Sequence, residues 1–169
     1  MRTVDADPSS TDDRLGIPLT PDEAAHIDAR SATAGALRTA AQDLDGFGGI
    51  WIDQAAGGVI HLGMAGTWPE ETTQRLRSLV PAGQQLVLEE VALSLAELES
   101  LHERLVDVIF SDLSLREHLL MLVQEDNHNA VRLTMRTSTP QEALDRIAQE
   151  FGGPGLILES AAEGGYSPY

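Results

Sequence analysis

Cysteine and lysine are both absent from this chain of 169 residues. Without a thiol there is no disulfide framework, no thiolate metal site and no cysteine nucleophile. With only arginine as a cation, 11 basic residues stand against 27 acidic ones and the formal net charge is −16. A field of that sign repels phosphate and anionic head groups, which argues against nucleic acid and membrane surfaces as partners. Aromatic residues are scarce at 4%. No apolar run approaches the roughly 20 residues of a membrane span, and Met1 to Asp13 is polar and acidic where a secretory leader would be cationic and then apolar. The 42% of apolar residues is nevertheless enough for a folded core.

Helix-start chemistry organises the rest. Thr20-Pro21-Asp22-Glu23 and Ser94-Leu95-Ala96-Glu97 place a hydroxyl three residues before a carboxylate, the pattern that satisfies orphan backbone donors reciprocally. The first predicts a helix to about Leu44, and the second a leucine-faced helix through Leu98, Leu101, Leu105 and Val108. Thr139-Pro140-Gln141-Glu142 reads as a third copy, with Thr139 as cap. Thr67-Trp68-Pro69-Glu70 is a looser fourth. Ile50 to Asp53 and Val59 to Met64 flank Ala55-Ala56-Gly57-Gly58 as a hairpin, and Leu86 to Leu88 and Leu156 to Leu158 read as short buried strands.

A shift of 71 residues lays Ile60 on Val131, Leu62 on Leu133, Met64 on Met135, Pro69 on Pro140, Glu71 on Glu142 and Arg75 on Arg146. Ala55 to Gly58 then falls on Asp126-Asn127-His128-Asn129, a turn tolerant of positive φ, and His118 to Val123 becomes a strand rather than a helix. The predicted fold is α+β: two β-β-α-β units, each a small antiparallel-type sheet packed by helices, with an N-terminal helix and a bridging helix. The expected divisions are a flexible acidic segment over 1–19, the N-terminal helix and first unit over 20–93, the bridge over 94–115, the second unit over 116–160, and a flexible tail over 161–169.

Catalytic candidates are few. None of His26, His61, His102, His118 and His128 has a partner at metal-ligand spacing. His61 alternates with apolar neighbours and reads as a solvent-facing strand residue. No serine lies in a nucleophile elbow, and the glycine-rich turns at Gly46, Gly57 and Gly152 lack the features of a phosphate loop. Adjacent carboxylates such as Glu70-Glu71 and Glu89-Glu90 point in different directions, unlike an acid/base pair. Trp51 and Trp68 read as core or sheet-covering residues. No catalytic residue, metal or cofactor is expected.

The run Phe47-Gly48-Gly49-Ile50-Trp51-Ile52-Asp53-Gln54-Ala55-Ala56-Gly57-Gly58-Val59-Ile60 resembles the opening hairpin in the pro-regions of α-lytic-protease-like and streptogrisin-like bacterial serine proteases. Gly16 to Ala25, the Ser94 to Leu105 segment and Asn129-Ala130-Val131-Arg132-Leu133 resemble further parts of that pattern, in order, over about residues 15–160. The second hairpin, Leu120 to Asn129, departs from it. The resemblance implies a non-catalytic folding chaperone and inhibitor of a secreted chymotrypsin-like protease domain, normally encoded C-terminal to it. It implies docking through a sheet edge at Val131, Leu133 and Met135 or at Leu156 and Leu158. It also implies a substrate-like segment from Ser160 through Glu163, Tyr166 and Tyr169. The competing reading is a stand-alone intracellular binding module, cytoplasmic if Met1 is the native start, and pairing its sheets as a dimer. An enzyme built on His61 ranks third.

Overall fold

The computed structural model describes residues 20–162, together with the backbone of two short paired strands upstream, β1 (Thr11–Asp12) and β2 (Ile17–Pro18). The chain then runs α1 (Pro21–Ala41), β3 (Phe47–Asp53), β4 (Val59–Ala65), α2 (Glu70–Ser78), β5 (Leu86–Val91), α3 (Leu95–Ser111), the single turn α4 (Leu113–Arg116), β6 (Leu119–Glu125), a 3-10 turn at Asp126–His128, β7 (Ala130–Arg136), α5 (Gln141–Phe151) and β8 (Leu156–Ala161). Two three-stranded sheets result, ordered β3-β4-β5 and β6-β7-β8, and each packs against helices. The α+β class and the repeated β-β-α-β unit are therefore as the sequence indicates.

In both sheets the hairpin is antiparallel and the third strand joins the second in parallel, so the sheets are mixed rather than purely antiparallel. The cause is topological: a helix crosses between β4 and β5, and between β7 and β8, and returns the chain in its original direction. The repeat is close in detail. Phe47↔Met64 and Leu119↔Met135 open the two hairpins, each followed by a bulge, at Phe47/Gly49 and at Leu119/Met121. Register places β3 on β6 with a shift of 72, β4 on β7 with 71, and β5 on β8 with 70. A single shift of 71 thus misplaces the first strand by one residue, because the first hairpin's turn is one residue longer.

Burial follows the same correspondence. Ile60, Leu62, Met64 and Leu76 in the first half and Val131, Leu133, Met135 and Ile147 in the second are all at most 4% exposed. Leu37 and Ala41 of α1 cover the first sheet, while Leu98, Leu105 and Ile109 of α3 cover the second. Helix α3 bridges the halves in the chain, with Leu95 against the first core, yet its main apolar face belongs to the second. Both α1 and α3 begin with a full capping box, at Thr20/Glu23 and Ser94/Glu97. The duplicated unit is therefore helix, hairpin, helix, strand.

Three local expectations are corrected. Helix α1 stops at Ala41 rather than near Leu44, because the chain turns there, with Leu44 N–H donating to Ala41 O at 3.0 Å and Gly46 at φ 84°. Thr139 does not cap α5. Pro140 is the N-cap, with no side-chain cap bond, and the Thr139 hydroxyl donates to Arg136 O at 2.6 Å instead. Pro69 plays the same part before α2, so Thr67 is no cap either. The turn at Asp126–His128 ends on Asn129 at φ 47°, a left-handed position that asparagine tolerates.

Candidate functional site: sheet edges and a base–carboxylate pair in each half

Strand β7 lies between β6 and β8, so it has no free edge. Val131, Leu133 and Met135 are fully buried in the second core, and none of them can meet a partner. That corrects half of the expected docking surface. The remaining half, β8, is an edge strand. Its orientation follows from the hydrogen bonds at its two ends, where Val131 N–H donates to Gly155 O at 2.7 Å and Thr137 N–H donates to Ala161 O at 3.0 Å. Residues 155 and 161 therefore face β7, and by alternation the backbone of Leu156, Leu158 and Ser160 faces outward. Leu156 N–H is taken by Gly153 O at 3.3 Å. Among the described residues no strand pairs with this edge, which leaves the outward N–H groups of Leu158 and Ser160 and the carbonyls of all three for an incoming strand. The side chains of Leu156 and Leu158 pack on the core while Ser160 is exposed, so the edge is anchored from behind. Glu163, Tyr166 and Tyr169 lie outside the described residues.

The open sheet faces carry a matched feature. In the second half the Arg132 guanidinium donates from Nε and Nη2 to the two oxygens of Glu125, both at 2.9 Å, and from Nη1 to Glu159. Arg132 holds the Glu125 carboxyl below the usual carboxylate range, with His128 adding to the effect. The two glutamates in turn push the guanidinium further up. In the first half the equivalent pair is His61 and Glu89, one on the central strand and one on the third. His61 Nδ1–H donates to Glu89 Oε1 at 2.5 Å, and its ring stacks on Trp51 with centroids 5.2 Å apart and planes 13° apart. His61 is thus not the solvent-facing residue expected. Its side chain is 16% exposed, and Nε2 is buried with no hydrogen-bond partner. Trp51 covers one face of the ring, and the His61–Glu89 bond ties the central strand of the first sheet to its third strand. Trp68 donates from Nε1 to Glu89 O at 3.1 Å and packs on the first core.

Sequence reasoning missed the role of Glu89. The signal was available, since Glu89 falls on Glu159 just as His61 falls on Arg132 in the repeat. It also missed Asn129, whose Oδ1 accepts Leu93 N–H at 2.8 Å and whose Nδ2 donates to Leu93 O at 2.7 Å, tying the halves together. Among the described residues no group of three histidine, aspartate or glutamate side chains could hold a metal ion, and no helix is long and apolar enough to cross a membrane.

No family model matches the chain, and no curated protein matches it either.

Proposed function

We propose that this chain is a non-catalytic pro-region that assists the folding of a secreted chymotrypsin-like serine protease and then inhibits it. The observation that carries the reading is the β8 edge: an outward-facing row of backbone groups, anchored by Leu156 and Leu158, that leads directly into residues 162–169. A protease hairpin adding to β8 would gain main-chain hydrogen bonds from Leu156, Leu158 and Ser160, while the following segment, with Glu163, Tyr166 and Tyr169, would lie in the protease cleft as a substrate does. The net charge of −16 favours fast, salt-sensitive capture of a basic partner surface. The order of motifs resembling the pro-regions supports the same assignment, and no residue of this chain is given a catalytic part in it.

The test adds the purified chain to a streptogrisin-type protease and follows peptide hydrolysis and complex formation. Inhibition is expected, together with an increased yield of active protease when the denatured enzyme is refolded in its presence. Deleting residues 163–169 should weaken inhibition more than binding, whereas Ser160→Pro should weaken both, because it removes an outward donor while leaving the ladder to β7 intact. A chain that binds no such protease, or whose inhibition survives both changes while circular dichroism shows native structure, refutes the assignment.

A further inference from the structure

A second pair of strand edges faces a cleft between the halves. The cleft has a volume of about 650 Å³ and is lined by Trp51, Ile52, Asp53 and Gln54 from the end of β3 and by Gln124, Glu125, Asp126 and Asn127 from the end of β6. Its size is within the roughly 300–1,000 Å³ of ligand clefts. Both strands are the outer members of their sheets. Ile60 N–H donates to Gln85 O at 2.9 Å, so Ile60 faces β5, His61 faces β3, and its partner Trp51 faces inward. The backbone of Ile52 therefore points away from the sheet. The same alternation, set by Val131 facing β8, turns the backbone of Gln124 outward from β6. Ile52 and Gln124 are equivalent positions under the 72-residue shift of this strand, so the duplication presents two like edges to one cleft.

The closed end of the cleft is fixed. Gly49, at φ 117°, lets Asp126 approach so closely that a Cβ there would stand 3.1 Å from the Asp126 carboxyl carbon. Arg38 of α1 also reaches Asp126, at 3.8 Å. Asn129 and Leu93 clamp the halves behind it. The lining carries three carboxylates. Glu125 is matched by Arg132 and His128, and Asp126 by Arg38. The Asp53 carboxylate accepts the Ala56 N–H, at 2.9 Å, and no described cation pairs with it. The lining otherwise offers the amides of Gln54 and Asn127 and the Trp51 ring, while the Gln124 amide donates to Asp126 Oδ1 at 3.1 Å.

We propose that this cleft captures an extended, arginine- or lysine-bearing segment of a partner protein, inserted as a strand between β3 and β6. Main-chain bonds to Ile52 and Gln124 hold it, and Asp53 receives its cationic side chain. The site is separate from the β8 edge, and its occupancy does not depend on the protease assignment.

The probe is a short fluorescein-labelled peptide of alternating valine and arginine, titrated against the full chain by fluorescence anisotropy. Saturable binding that weakens with added salt is expected. The same peptide N-methylated at alternate nitrogens, and one with glutamate in place of arginine, should each bind at least tenfold more weakly. Asp53→Asn, which keeps an acceptor for Ala56 N–H, should weaken the arginine peptide several-fold. Bound peptide should slow hydrogen exchange at the Ile52 and Gln124 amides. Equal affinity for the N-methylated peptide, or unchanged exchange at those amides, overturns strand insertion. An Asp53→Asn chain that is folded and binds as before overturns the charge assignment, and absence of binding by the arginine peptide overturns the proposal entirely.

Discussion

Replacing Asn129 tests what holds the two halves together. Asn129 is 7% exposed and sits at φ 47°, and its side chain makes two short hydrogen bonds to the backbone of Leu93, across 36 residues of sequence. Alanine would remove both bonds and leave the Leu93 N–H and carbonyl in a half-buried site. At a net of roughly 1 kcal/mol per bond, that costs about 2 kcal/mol. Alanine must also hold a left-handed backbone that asparagine tolerates better, which adds roughly 1 kcal/mol. Glycine makes the first loss without the second. Urea unfolding followed by circular dichroism should thus place Asn129→Ala about 3 kcal/mol and Asn129→Gly about 2 kcal/mol below the parent. For a chain of this size, the alanine change should lower Tm by roughly 6–12 °C. If Asn129→Ala is as stable as the parent, the clamp contributes nothing net. If the glycine variant is the less stable of the two, the backbone part of the reasoning is wrong.

Leu62→Ala and Leu133→Ala occupy equivalent, fully buried positions on the two central strands, and each should cost about 2–5 kcal/mol in the same assay. Proline at Val131 or Leu133 should unfold the second half, visible as lost ellipticity, because β7 is paired on both sides. Ser94→Ala should lower stability by about 1 kcal/mol by opening the α3 capping box. Glu125→Gln should be less stable than the parent at pH 7, yet the two should converge in acid. The folded carboxyl titrates below its unfolded value, so its contribution is present above the ordinary glutamate range and is lost as pH falls through the lowered value. Urea midpoints followed from pH 7 downward into acid check this.

The repeat made most of the fold legible before any coordinates. A helix after Ser114 competed with a strand at His118 to Val123, and only the match to the first hairpin decided for the strand, which runs over Leu119–Glu125. Parallel pairing was harder to see, because direction is set by where a crossover helix returns the chain and not by local residue pattern. Helix caps were legible where hydroxyl and glutamate close a box, at Thr20 and Ser94, and misleading where the hydroxyl is engaged elsewhere. Thr139 has almost the same neighbours as Thr20 but closes the turn after β7 onto Arg136. The edge assignment divided along the same line. The repeat identified β7 as a strand and a short apolar run identified β8, whereas which of them is central depends on long-range pairing that no local signal encodes.

The duplication also bears on why the proposed docking edge is β8 rather than its counterpart β5. The two strands have equivalent outward positions: Leu86, Leu88 and Glu90 in β5, and Leu156, Leu158 and Ser160 in β8. At the third position a carboxylate replaces a small hydroxyl, so an incoming strand at β5 would meet the charge of Glu90 beside that of Glu89, a common device for blunting an edge. The chain leaving β5 is moreover held at Leu93 by Asn129 and enters the capped start of α3. The chain leaving β8 makes one more ladder bond, from Thr137 N–H to Ala161 O. One copy of the unit thus continues from its third strand into the Leu93 clamp that attaches its sister, and under the proposed function the other offers the same strand to a partner.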